Sequence, residues 1–221
     1  MIRAAWQIAA KDLRAEFRTR SLITAMSLFG VLTTMVFYYT FEARPDARRA
    51  AIPAVLWVTV VFASTVGIGR SLAQEADKGT LDGLLLSPIP RPALYFGKLI
   101  TAWLFTGVVA AVVSLALLFL FNANLFHLGW WVMILIGTLG FAAVGTLLGS
   151  MAIYARTRET TLPIIVLPIA LPVIIAAVNA SSAIVEGLPF SSWASWAIML
   201  ASLDGLFLLA AYGLFAYIVE E

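Results

Sequence analysis

Six apolar runs divide this chain, near Ser21 to Phe41, Ile52 to Gly69, Leu99 to Phe121, Gly129 to Ile153, Leu162 to Val178 and Trp196 to Val219. Each is long enough to cross about 30 Å of hydrocarbon at about 1.5 Å per residue. Lipid offers no partner for a free N–H or C=O, so a spanning segment must close its hydrogen bonds internally, as a helix does. The expected fold is therefore all-α, a single transmembrane domain over residues 1–221 with six transmembrane helices. A chain that is 62% hydrophobic and 12% charged, with a mean hydropathy of +0.98, agrees with that reading and with no soluble class.

An even number of spans puts both termini on one side, and the basic residues choose the side. Eleven of the fourteen Lys and Arg residues fall on the terminal side and three, Arg44, Arg48 and Arg49, on the other. The positive-inside rule then places both termini, residues 74–98 and the Arg156 loop in the cytoplasm. The first twenty residues alternate charge with apolar residues and do not read as a cleaved signal peptide. Over residues 2 to 18, Ile2, Trp6, Ala9, Leu13 and Phe17 share one helical face while Arg3, Lys11, Arg14 and Arg18 gather on another. This reads as an amphipathic interfacial helix (1–20) that either anchors orientation or also packs on a cytoplasmic partner.

Between the second and third spans, residues 74–98 form a compact polar segment. Thr80 is placed to cap a short helix with Leu81, Leu84 and Leu85 on its apolar face and Asp82 near its positive end, and Pro88, Pro90 and Pro92 stop it. On the opposite side, residues 179–195 read as an interfacial connection, either a short surface helix or a re-entrant turn.

Within the spans, Gly145 and Gly149 form a small-xxx-small pair suited to close helix packing, inside the bundle or between molecules. Pro163, Pro168 and Pro172 remove backbone donors from the fifth span, which predicts a bent or broken helix, either a packing kink or a moving element. Asp204 is the acid set well inside a span, where an ionisable group is costly enough to be a functional candidate. Gly205 beside it suggests a hydrated or capping position in the outer third of the bilayer. His127, the single histidine, stands with Phe126, Trp130 and Trp131 at the outer end of the fourth span and reads as an interfacial belt residue, with metal or haem ligation the alternative.

The residues also exclude functions. A net charge of +2, with the basic residues clustered at membrane edges, gives no footprint for nucleic acid. The absence of cysteine removes disulfides, thiolate metal sites and covalent haem attachment. Neither a phosphate-cradling G-x-x-x-x-G-K-[ST] loop nor a hydrolase or metalloprotease set occurs, so the chain reads as a non-catalytic membrane subunit, with no metal site and no bound cofactor expected.

The polar segment matches the pattern E-x-x-x-G-[TS]-[LM]-[DE]-x-L through Glu75, Gly79, Thr80, Leu81, Asp82 and Leu84, and with the amphipathic entry helix it resembles the ABC-2 type exporter permeases. More narrowly, the run Leu85-Leu86-Ser87-Pro88-Ile89-Pro90, Lys98 and the proline-rich fifth span resemble the haem exporter B family of cytochrome c maturation. The resemblance covers nearly the whole chain. It implies a multi-pass subunit of the bacterial cytoplasmic (inner) membrane, with Glu75, Gly79, Thr80, Leu81, Asp82, Leu84, Leu85, Ser87 and Pro88 as its ATPase-coupling residues. It further implies ATP on a separate ATPase of the haem exporter A type, haem-handling membrane subunits of the C and D types, a second copy of the chain, and surrounding lipid. Haem is the implied cargo, either carried across or released after loading onto a periplasmic chaperone. The residues themselves leave open another amphiphile, such as a lipid-linked glycan, or a non-transporting scaffold.

Overall fold

The computed structural model describes residues 1–42, 44–77, 90–152 and 158–218. Seven helices account for nearly all of them: α1 (Ile2–Thr19), α2 (Ser21–Phe41), α3 (Pro45–Asp77), α4 (Arg91–Phe121), α5 (Leu128–Ala152), α6 (Arg158–Val185) and α7 (Phe190–Ile218). Six of them, α2 to α7, are long and apolar enough to cross a membrane, which makes the chain an all-α, multi-pass membrane protein.

The two inner helices are α3 and α5. Both lie between α4 and α6, while α2 closes one edge against α3 and α4, and α7 closes the other against α5 and α6. Burial follows that order: most of the apolar stretch of α3 and of α5 is enclosed, and little of α2 or α7 is. The enclosed core runs through Leu56, Trp57 and Val60 of α3, Val109 and Val113 of α4, and Trp130 and Met133 of α5.

Glycines on α5 set how closely its neighbours approach. At Gly137 the Trp57 indole fills the space a Cβ would take, and at Gly145 an added Cβ would lie 2.8 Å from Ile68 Cδ1 of α3. Close approach of helices at small residues is how bundles pack in lipid, where the hydrophobic effect between helices is absent. Polar ring atoms in this core find partners. Trp57 Nε1 donates to Ser181 Oγ at 3.0 Å, Trp130 Nε1 donates to Ser114 Oγ at 3.2 Å, and the Tyr95 hydroxyl donates to the Ala143 carbonyl at 3.1 Å. Trp130 is thus a core residue, 1% exposed, and not the interfacial belt residue expected beside His127.

Three sequence expectations change in detail. The fifth span, α6, continues as helix through Pro163, Pro168 and Pro172. Pro168 and Pro172 stand on its exposed face. Helix also covers most of 179–195, leaving only Glu186 to Pro189 between α6 and α7, with Gly187 at φ 76° making the turn. Finally, α1 has a packing face that the sequence did not mark, meeting the bundle through Ala5, Ile8 and Glu16 together with Ala9, while Ile2, Trp6 and Phe17 of the expected apolar face point outward.

Candidate functional site

Polar side chains that a membrane bundle must account for occur at three depths, and the first lies where α1 crosses α4 near the termini. Gly97 permits that crossing, since a Cβ there would sit 2.8 Å from Ile8 Cβ and 2.9 Å from the Ala5 carbonyl oxygen. One residue on, Lys98 Nζ lies 2.7 Å from Asp12 Oδ2, and both side chains are almost enclosed. Taking two charges out of water is unfavourable unless they pair, so this contact fixes α1 against α4 in one register. Glu16 fixes α1 to α2 as well. Its Oε1 accepts from the N–H of Leu22 at 2.7 Å and of Ile23 at 2.9 Å. Those are orphan donors of the first turn of α2, reached because Arg20 takes the left-handed conformation at φ 53° and turns the chain sharply. The N-terminal helix therefore has three faces: a protein face with two acids, an apolar outward face, and the basic face of Arg3, Lys11, Arg14 and Arg18.

Beside Lys98, a cavity of about 20 Å³ is lined by Met26, Ile68, Phe105, Thr106 and Thr146. That volume is about one water, whereas pockets for drug-sized ligands run to roughly 300–1,000 Å³. It is no conduit for a large cargo in this conformation.

The second station is mid-depth. Asp204 is at the midpoint of α7, 4% exposed, and packs against α5 where Gly140 leaves room for its carboxylate, with Val173 of α6 nearby. Neither carboxylate oxygen has a hydrogen-bond partner among the described residues. This corrects the expectation of a helix-capping position. Helix α7 starts fourteen residues before Asp204, so Gly205 is an interior helical glycine and ends nothing.

The third station is on the face opposite the termini. A cleft of about 420 Å³ opens between the start of α3, the α4–α5 connection and the end of α6, lined by Arg48, Arg49, Ile52, Asn122, His127 and Val185 among others. His127 is exposed and stands just before α5, at the edge of this cleft. Arg49 Nη2 donates to the Val185 carbonyl at 3.2 Å, and the Arg48 guanidinium lies 5.8 Å from the centre of the Tyr38 ring. No group of His, Cys, Asp and Glu residues able to hold a metal occurs among the described residues.

The predicted site residues are not brought together. Gly79, Thr80, Leu81, Asp82, Leu84, Leu85, Ser87 and Pro88 lie outside the described residues, and of Glu75 only its place near the end of α3 is described. Gly145 faces α3, Gly149 is buried, and Asp204 and His127 belong to different depths. The buried Lys98–Asp12 pair, the Glu16 cap and the Arg48–Arg49 cleft were not singled out from sequence. A signal for the last was present, because these arginines are two of only three basic residues on their side.

Comparison with known proteins reaches over most of the chain. The heme exporter protein B of Bradyrhizobium diazoefficiens is 27% identical over 194 residues, 86% of this chain and 87% of that protein. Its namesake in Pseudomonas aeruginosa is 24% identical over 201 residues, 90% of this chain and 88% of that protein. The heme exporter protein B of Rhodobacter capsulatus is 27% identical over 174 residues, 76% of this chain and 78% of that protein. With the family described as CcmB protein matching residues 3–218, the chain belongs to the CcmB family.

Proposed function

We propose that this chain is the membrane permease subunit of an ABC transporter complex for cytochrome c maturation, coupling a partner ATPase to haem export or to release of haem-loaded chaperone. The observation that carries this reading is the family match from residue 3 to residue 218, together with relatives named heme exporter protein B across most of their own length. ATP hydrolysis belongs to a separate chain of the haem exporter A type, and the haem-handling C and D types are the membrane partners. The complex lies in the bacterial inner membrane with both termini of this chain cytoplasmic.

Coupling is assigned to residues 74–98. Helix α3 has 33 residues, about 50 Å of helix, against about 30 Å of hydrocarbon, so its ends stand clear of the bilayer core. It delivers the motif from Glu75 to Leu84 to the aqueous side, where Leu81, Leu84 and Leu85 fill an apolar groove of the ATPase. Release of loaded chaperone is favoured over passage of haem because the chain, with no cysteine and a single histidine, offers no paired axial ligands along its length.

Leu84→Asp tests the coupling. It should sharply reduce co-purification of the ATPase, because a helix-in-groove contact depends on its buried anchors. Recovery equal to wild type, with the variant normally folded, overturns the assignment. In the same cells, periplasmic chaperone that is haem-loaded but unreleased supports release, and loss of loading supports transport of haem itself.

A further inference from the structure

We propose that the cleft opposite the termini binds the anionic head group of an amphiphile through Arg48 and Arg49. Its volume, about 420 Å³, falls within the range of pockets that enclose drug-sized ligands. Its floor is apolar, formed by the buried Ile52, Phe121, Leu125 and Ile184, and its rim is polar. A ligand with a charged head and an apolar body matches that division.

The rim is set for an anion. Arg48 and Arg49 sit in the opening turns of α3, where the helix dipole adds positive potential. Both guanidinium groups are held in place, Arg49 by the Val185 carbonyl and Arg48 over Tyr38, so little side-chain freedom remains to be lost on binding. Glu42 is at the end of α2, and Glu186 lines a neighbouring hollow of about 210 Å³ shared with Arg49. Neither forms an ion pair with either arginine, and among the described residues no carboxylate does. Asn124 uses its side-chain oxygen on the N–H of Phe126, at 3.5 Å, which leaves its amide N–H groups as donors. Planar guanidinium forks pair with carboxylate and phosphate oxygens through two parallel hydrogen bonds, which selects those oxyacids as the head group.

Two sources supply that chemistry: the carboxylates of a porphyrin and the phosphate of an anionic lipid. The porphyrin source rests on the function proposed above, and the lipid source does not. The experiment uses the purified full chain in phosphatidylcholine nanodiscs. Haem and its dimethyl ester are titrated by quenching of tryptophan fluorescence, and retention of phosphatidylglycerol against phosphatidylcholine is read by native mass spectrometry. Wild type should bind haem at least about tenfold more tightly than the ester, or retain phosphatidylglycerol selectively, and the preference found identifies the source. Arg48→Gln should abolish the preference and Arg48→Lys should restore part of it. Arg48 is the position of choice because Arg49 also ties α3 to α6. Absence of both preferences in wild type overturns the proposal without reference to any variant. A preference that survives in folded Arg48→Gln also overturns it.

Discussion

Replacing Asp204 with alanine should stabilise the protein, and the structure sets the size of the effect. A buried polar group without a partner costs about 1–3 kcal/mol, more when it is charged. Both oxygens of Asp204 are in that position, enclosed between α7 and the Gly140 stretch of α5. Removing the carboxylate leaves a void of about one water, roughly 30 Å³. At about 24 cal/mol per Å³, that void costs about 0.7 kcal/mol. The net gain is then about 0.5–2 kcal/mol. Asp204→Asn keeps the shape and still buries an unpaired amide, so it should gain less than alanine. The assay is equilibrium unfolding of purified protein in lipid–detergent micelles, followed through the intrinsic fluorescence of its seven tryptophans. Destabilisation by more than about 1 kcal/mol in both variants would refute the reasoning, since it would mean the carboxylate gains more from a partner than it loses by burial. Stabilisation accompanied by loss of cytochrome c maturation would identify Asp204 as a residue kept for function at a cost in stability.

Two further outcomes test the framework around that site. Lys98→Met should cost about 1–3 kcal/mol, because it leaves the nearly enclosed Asp12 with only the half-exposed Lys11, 3.2 Å away, as a cation, and a double-mutant cycle with Asp12→Leu should give a coupling of at least about 1 kcal/mol. A coupling under about 0.5 kcal/mol would remove the pair as the lock between α1 and α4. The chain has no native cysteine, so cysteines placed at Ala47 and Ser192 should react with an impermeant thiol reagent added outside intact cells, and one at Thr157 only after permeabilisation. Ready external labelling at Thr157 would overturn the orientation.

The number of spans was legible because hydropathy summed over about twenty residues does not depend on which face packs where. The helix ends were less so. Helix α3 runs well beyond Ile52 to Gly69 at both ends, through Arg48, Arg49 and Gln74, since polar residues propagate a helix readily once outside the hydrocarbon. On α1, Trp6 and Phe17 of the apolar pattern face outward, while the packing face, made by Ala5 and Ile8 with the pattern's own Ala9, was not legible, because small residues weigh little in a hydropathy pattern. The depth of Asp204 was hidden because the start of α7 could not be read among Phe190, Trp193 and Trp196. The pair Lys98–Asp12 spans eighty-six positions, and nothing local in the sequence announces such a contact.

Helix α4 links the stations physically. Its 31 residues make about 46 Å of helix with no proline after Pro92, in contrast to α3 with Pro53 and α6 with three prolines. Its first turns, Arg91 to Lys98, form the last part of the proposed coupling segment and hold α1 through Gly97 and Lys98. Its other end reaches Phe121 and Asn122, which line the arginine cleft. A displacement imposed at Arg91 meets no proline kink along α4 beyond Pro92, and α1 and α2 are tied to the same end through Asp12 and Glu16. Coupling between two faces of a membrane needs an element that both sites bias. Among the described helices, α4 meets that requirement at each end.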